Sequence, residues 1–94
     1  MRPFSLEDSM KKHLDLYYFD SCPYCQRVLR VIDELKIKVN YKDIYGDTTN
    51  MQKLMAITGR KTVPCLFIDG TPMHESSDIM DWLKANKDHL EKTI

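Results

Sequence analysis

The segment Cys22-Pro23-Tyr24-Cys25 constrains the fold of this 94-residue chain more than any other, because it places two thiols between two kinds of element. It follows a nearly continuous apolar run, Leu14 to Phe19, which is typical of a strand covered on both faces. After it, apolar residues recur at i, i+3, i+4 and i+7 and indicate one face of a helix: Val28, Val31, Ile32 and Leu35. The two cysteines are therefore expected at a strand-to-helix junction.

Pro23 determines the local geometry expected at this junction. Proline suits the first helical position, where its missing N–H would have no partner and its φ is already helical. This places Cys22 at the N-cap, facing the free N–H groups of Tyr24 and Cys25. Those donors and the positive end of the helix dipole favour a negatively charged sulfur. The sequence thus predicts a nucleophilic thiolate at Cys22, with Cys25 one turn farther on as the resolving thiol.

Two other roles for the cysteine pair are less favoured by the residues. A structural zinc site needs four ligands, usually as two close pairs, and the remaining candidates are scattered: Cys65, His13, His74 and His89. A permanent disulfide across a four-residue loop would remove little chain entropy. A C-x-x-C motif between a strand and a helix in a small α/β chain favours redox chemistry instead, and no metal is expected.

The whole chain predicts the order strand, helix, strand, helix, hairpin and helix. The predicted strands cover 14–19, 38–44, 65–69 and 71–74, and the first two helices cover 23–36 and 48–58. The last helix begins at Glu75 or Ser76, with Ile79, Met80, Trp82 and Leu83 on its apolar side and Leu90 as a possible extension. Met51, Leu54 and Met55 are the expected buried stripe of the second helix. Asp69-Gly70 is a strong signal for the hairpin. This order gives a four-stranded mixed sheet flanked by helices, with the first two strands parallel and the last two antiparallel.

Two later segments are suited to binding an extended peptide or a carboxylate. Val63 precedes Pro64 and is therefore pushed to extended φ and ψ, so its N–H and C=O can pair with an added peptide strand. Ser76 and Ser77 open the last helix, where free N–H groups can hold a carboxylate, although plain capping by Ser76 is compatible with the same residues. Cys65 is expected to be a small buried hydrophobe rather than a second reactive thiol.

The motifs Cys22-Pro23-Tyr24-Cys25, Thr62-Val63-Pro64 and Glu75-Ser76 together resemble a glutaredoxin. In detail, residues 16–22, 59–64 and 74–79 are similar to the atypical branch that approaches the N-terminal domain of glutathione transferases. The resemblance covers roughly residues 14–86. It implies an α/β chain with the thioredoxin fold, organised as a single glutaredoxin domain over residues 1–94. Residues 1–12 would form an N-terminal extension. Ser5 and Asp8 resemble a capping box for a short helical turn over residues 5–12, but a frayed extension that packs lightly on the domain is the preferred expectation.

The resemblance implies a glutathione-dependent thiol–disulfide oxidoreductase that reduces glutathionylated proteins and protein disulfides through Cys22 and Cys25. Glutathione would be its co-substrate, held by Tyr24, Lys61, Thr62, Val63, Pro64, Glu75, Ser76 and Ser77. In the family the motif proline is cis. Lys61 aligns with a basic residue that reaches the glycyl carboxylate in relatives, although a solvated loop lysine is an equal alternative. Phe19 stands where ordinary glutaredoxins tend to carry another basic residue for that carboxylate.

Two alternatives from other classes share these motifs. Some relatives bind a [2Fe–2S] cluster through the first cysteine and glutathione from two chains, but they usually have a smaller residue than Pro23. A non-redox glutathione-binding domain of the transferase type is the other alternative. The complete Cys-Pro-Tyr-Cys motif favours redox work over conjugation.

Composition excludes several classes of partner. The 14 basic and 14 acidic residues balance, so no field recruits nucleic acid or a membrane surface. Residues 1–12 lack the apolar core of a signal peptide, and no run approaches the ~18 apolar residues of a membrane helix. Three cysteines do not make a disulfide framework. The expectation is a soluble, cytoplasmic monomer whose partners are glutathione and disulfide-containing proteins.

Overall fold

The computed structural model describes residues 12–93 and contains four strands and three α-helices. The N-terminal extension over residues 1–12, with its alternative helical turn, lies outside the described residues apart from Lys12. The strands are β1 (Leu14–Tyr18), β2 (Asn40–Asp43), β3 (Cys65–Ile68) and β4 (Thr71–Met73). The helices are α1 (Pro23–Leu35), α2 (Thr48–Thr58) and α3 (Ser76–Asn86), followed by a 3₁₀ turn over Lys87–His89.

The sheet has the strand order β2-β1-β3-β4. Strand β1 is parallel to β2 and antiparallel to β3, and β3 is antiparallel to β4. In the hairpin, Asp69 and Gly70 both have positive φ, at 50° and 90°. Such values suit the mirror-image turns that match the twist of a two-residue hairpin. The mixed sheet, its pairing and the hairpin are as predicted, and the architecture is the thioredoxin fold.

The two faces of the sheet bury separate clusters of apolar side chains. On one face, β1 and β3 pack against α1 and α3 through Leu14, Leu16, Val28, Val31, Ile32, Leu66, Ile79 and Leu83. The other face carries a smaller cluster under α2, made by Tyr17, Ile44, Leu54, Cys65 and Phe67. Because β1 contributes to both clusters, its continuous apolar sequence is explained by burial on both faces.

Helix α2 shows the clearest error in the predicted core. Leu54 is fully buried and Met51 is half-buried, but Met55 is 38% exposed. The neighbouring Ile57 is also exposed on this helix, at 50%. A single helix covers this smaller face, so only a narrow stripe of α2 contacts the sheet.

The ends of the helices follow local chemistry. Helix α2 begins at Asp47, whose Oδ1 accepts from the Thr49 N–H at 2.9 Å, and ends at Gly59 with φ 78°. Helix α1 ends at Lys36, which takes the left-handed conformation at φ 56° without being glycine. The Ile37 N–H donates to the Ile32 carbonyl at 3.1 Å and closes that last turn.

The C-terminal segment is attached to the end of α1. The Lys38 N–H donates to the Glu91 carbonyl at 2.8 Å, and the Thr93 N–H donates to the Lys36 carbonyl at 2.9 Å. Leu90, just before this segment, is 5% exposed and belongs to the larger cluster. Over residues 12–93, none of the helices has the length and apolar character that crossing a membrane requires.

Candidate functional site

Cys22 occupies the N-cap of α1, as the position of Pro23 predicts. Its backbone is extended, with φ −80° and ψ 117°, and Pro23 begins the helix. The Cys22 Sγ accepts a hydrogen bond from the Cys25 N–H at 3.4 Å, and the Cys22 carbonyl accepts from the Gln26 N–H at 3.0 Å. The sulfur therefore lies where backbone donors and the helix dipole favour negative charge.

Cys25 is held as a protonated thiol behind Cys22. It is fully buried, and burial raises its pKa to about 12. That value already includes a lowering by the hydrogen bond to the Phe19 backbone and smaller increases from the hydrogen bond to Cys22 and from the charge of Cys22. Both cysteines are free thiols in the structure. Cys25 therefore stays protonated and can donate a hydrogen bond from its thiol to a negatively charged Cys22 sulfur.

The loop before β3 contributes the second wall of the site. The Val63–Pro64 peptide bond is cis. Val63 is half-buried and packs against the apolar cluster under α2, whereas Pro64 is buried. Val63 therefore stands at the surface beside the start of α1, where its backbone can pair with an extended peptide.

The start of α3 contributes the third wall. Glu75 precedes the helix with φ 70° and ψ 112°, a conformation that non-glycine residues rarely adopt. Its side chain makes no capping hydrogen bond, so the first N–H groups of α3 have no partner from that cap. Ser76 is half-buried, and the Ile79 N–H donates to the Glu75 carbonyl at 3.0 Å. The arrangement is suited to an anionic group.

These three segments meet in one cleft of about 370 Å³. It is lined by Tyr24, Thr62, Val63, Pro64, Glu75 and Ser76. Six of the eight residues predicted to bind glutathione are thus brought together, while the exposed Lys61 and Ser77 are not among its lining residues. Tyr24 is 58% exposed, and the Arg27 guanidinium lies 5.7 Å from the centre of its ring. The binding roles of all eight residues stay a prediction.

Other residues considered in the sequence fall into structural positions. Cys65 is fully buried, and burial raises its pKa to about 11. His74 has a buried Nδ1 without a hydrogen-bond partner, and its pKa is lowered by burial and then by Arg60, against the opposite effect of Glu75. Asp20, two residues before Cys22, is exposed. Within residues 12–93, no three His, Cys, Asp or Glu side chains are grouped as metal ligands.

One feature beside the site was not singled out in the sequence. The rings of Phe19 and Tyr45 lie 5.1 Å apart at 57°. The Cys22 N–H donates to the Phe19 carbonyl at 3.2 Å, so this aromatic pair borders the loop that carries the nucleophile. The available signal was an aromatic residue, Tyr45, directly before the chain-breaking Gly46-Asp47.

The chain matches a known protein family and several curated relatives. The family model described as "Glutathione S-transferase, N-terminal domain" matches residues 16–91. Rice glutaredoxin-C4, described as chloroplastic, is 39% identical over 64 residues, which cover 63% of this chain and 47% of the rice protein. The match therefore spans about half the length of that relative. Glutaredoxin 3 of Escherichia coli strain K12 is 25% identical over 67 residues, covering 71% of this chain and 81% of the bacterial protein.

Comparison with solved structures supports the fold. A buckwheat glutaredoxin–glutathione complex superimposes with a TM-score of 0.64, covering 86% of this chain and 77% of that protein. Its sequence identity is 22%, so the likeness is one of fold.

Proposed function

Since the chain belongs to the glutathione S-transferase N-terminal domain family, with glutaredoxins among its relatives, we propose that it is a glutathione-dependent thiol–disulfide oxidoreductase. Its substrates are glutathionylated proteins and protein disulfides. One observation carries the proposal. The Cys22 sulfur accepts a backbone N–H at the start of α1, next to Tyr24 of a cleft that also contains Val63 and the α3 terminus.

Glutathionylated substrates are reduced in two exchange steps. The Cys22 thiolate attacks the glutathione sulfur of the mixed disulfide, forms the Cys22–glutathione disulfide and releases the substrate thiolate, which takes up a proton. A second glutathione, reacting as its thiolate, attacks the glutathione sulfur on Cys22. It releases Cys22 as a thiolate and leaves as oxidised glutathione, so one free glutathione thiol is consumed per mixed disulfide and the glutathionyl group of the substrate is the other half of the product.

The cleft holds the glutathionyl group during these steps. The Val63 N–H and C=O pair with its cysteinyl backbone, as in the addition of a peptide strand. The γ-glutamyl carboxylate lies against the first N–H groups of α3 and the Ser76 hydroxyl, and its amine faces Glu75. This placement sets the glutathione sulfur toward Cys22 and leaves the other partner of the disulfide outside the cleft.

Protein disulfides use Cys25 as well. Cys22 attacks one sulfur, releases the other as a thiolate and remains joined to the substrate. Cys25 then attacks Cys22, which frees the reduced substrate and leaves a Cys22–Cys25 disulfide for glutathione to reduce. Because Cys25 is fully buried with a pKa of about 12, it must lose its proton as it attacks. The proposed location is the cytoplasm, where glutathione keeps thiols reduced.

The test is reduction of a glutathione mixed disulfide, coupled to glutathione reductase and oxidation of NADPH. Cys22→Ser should abolish the activity, and Cys25→Ser should retain it while losing reduction of protein disulfides. Cys65→Ala is the matched control, because that thiol lies in the cluster under α2, and it should keep both activities. Activity that persists in Cys22→Ser would contradict the proposal, as would a chain that only conjugates glutathione to an electrophilic aromatic compound.

A further inference from the structure

The aromatic pair Phe19–Tyr45 is a fixed surface feature beside the nucleophile. Phe19 is half-buried and packs on the cluster under α2, while Tyr45 is 68% exposed, the largest exposure among the large apolar side chains of residues 12–93. Their rings are 5.1 Å apart. An exposed tyrosine ring that packs on a second aromatic ring presents a large flat surface and loses little side-chain entropy when a ligand binds.

The backbone around Tyr45 is held in place before any ligand arrives. The Asp43 Oδ1 accepts from the Tyr45 N–H at 2.9 Å and from the Gly46 N–H at 3.0 Å. On the strand side, the Ile44 N–H donates to the Tyr18 carbonyl at 3.0 Å. These bonds fix the turn between β2 and α2, so the Tyr45 ring is offered in a preorganised position.

Phe19 of the aromatic pair and Val63 of the cleft both pack against the cluster under α2. Val63, which lines the cleft, packs on the cluster under α2 together with Phe19 and Met51. The Cys22 N–H donates to the Phe19 carbonyl at 3.2 Å, so the pair is joined directly to the loop that carries the nucleophile. Residues next to the reacting cysteine of a longer substrate can therefore reach Tyr45.

Three aspartates lie within two residues of Phe19 or Tyr45 in the sequence. Asp20 follows Phe19 and is exposed, and Asp43 and Asp47 stand two residues on either side of Tyr45. Burial raises the pKa of Tyr18, and Asp20 and then Asp43 raise it further, which places both carboxylates near that residue. The hydrogen bonds from Thr49 lower the pKa of Asp47, and the charge of Lys42 lowers it further, so this lysine lies near that carboxylate. An aromatic surface with this surplus of negative charge favours aromatic and basic side chains and disfavours acidic ones.

We propose that Phe19 and Tyr45 form a specificity-determining patch for substrates whose reacting cysteine is flanked by aromatic and basic residues. The inference rests on the proposed function, because the substrate must first be placed at Cys22. It adds a substrate class, namely polypeptides carrying such a flank, that the cleft by itself does not select.

The experiment compares two peptides, each with its cysteine joined to 5-thio-2-nitrobenzoate. One has the sequence acetyl-Lys-Phe-Cys-Phe-Lys-amide, and the other has serine at the four flanking positions. Attack of Cys22 on the peptide sulfur forms the Cys22–peptide disulfide and releases the coloured thiolate, so the chromophore reports that single exchange. Rates are measured for the native chain, Tyr45→Ala, Tyr45→Phe and the control Tyr41→Ala. Tyr41 is also exposed, at 50%, but its ring packs on Tyr18 instead.

The native chain should react roughly fivefold to tenfold faster with the aromatic–basic peptide than with the serine peptide. Tyr45→Phe and Tyr41→Ala should keep that ratio, whereas Tyr45→Ala should reduce it to within about twofold. Intrinsic differences between the peptides cancel because each ratio uses the same pair. A native ratio near one, or a ratio that survives in Tyr45→Ala, would overturn the inference alone. A serine peptide that reacts no faster with the chain than with free glutathione would overturn the proposed function as well.

Discussion

At the scale of single residues, the site depends on two backbone positions on different elements. Cys22 is the extended residue before α1, and its sulfur receives a backbone N–H that a helix start leaves free. Glu75 is the residue before α3, at φ 70° and ψ 112°. The first position could be predicted, because Pro23 requires it. The second could not, since a positive φ at a glutamate has no local sequence signal, and its neighbours must impose it.

Replacing Glu75 should separate stability from binding. Glu75→Gly removes the Cβ that makes this conformation costly, so the free energy of unfolding should rise by about 1 kcal/mol. The same change removes the carboxylate proposed to meet the glutathione amine and should raise KM for a glutathione mixed disulfide. Glu75→Gln is the matched control, with the same loss of charge and no gain in stability. Urea unfolding that finds Glu75→Gly no more stable than the native chain would refute the strain argument.

At the scale of elements, the sequence was sufficient wherever local chemistry decides the outcome. The start of α1 at Pro23 and the hairpin at Asp69-Gly70 follow from residue type, and both were predicted. The exposure of Met55 was not predicted. Hydrophobic spacing on α2 does not reveal that only a narrow stripe of this helix is buried against the sheet. Likewise, nothing in the sequence brings Phe19 and Tyr45 together, since their contact depends on how the turn after β2 is placed.

The end of α1 provides a test at this scale. Lys36 is exposed and adopts φ 56°, a conformation that glycine enters without steric cost. Lys36→Gly should therefore stabilise the fold by about 1 kcal/mol, as measured by urea denaturation. The control is Lys84→Gly within α3, where the same substitution should destabilise by about 1 kcal/mol. Two changes of the same sign would contradict the account of this helix terminus.

At the scale of the whole molecule, topology converts distant motifs into one site. Parallel pairing of β1 and β2 and antiparallel pairing of β1 and β3 bring residues 22–25, 62–64 and 75–76 around one cleft. The sequence predicted this convergence as part of the fold that the resemblance implies, because residues 22–25 and 75–76 follow β1 and β4, whereas residues 62–64 precede β3, which is antiparallel to both. It did not reveal that Lys61 and Ser77 are not lining residues, which depends on the course of each loop.

Two buried thiols give the fold a dependence on alkaline pH. Burial raises the pKa of Cys65 to about 11 and that of Cys25 to about 12, whereas an unperturbed thiol has 9.0. Above pH 9 the unfolded chain releases protons that the folded chain retains. The contribution of these two thiols to the free energy of unfolding is therefore fully present below pH 9 and is lost as the pH rises through the folded pKa values. Melting temperatures under reducing conditions should fall from about pH 9 upward, and less steeply in Cys65→Ala. Equal slopes for the two chains would contradict a buried Cys65 thiol.

The most direct test of the central claim is the rate at which iodoacetamide alkylates Cys22 at about pH 5.5, followed by mass analysis of the reduced native chain. The sulfur lies at the start of α1 beside a backbone donor, so Cys22, which is 7% exposed, should react faster than the thiol of free glutathione, while Cys25 and Cys65, which are 0% exposed, should stay unmodified. A rate for Cys22 equal to or below that of free glutathione would contradict the central claim.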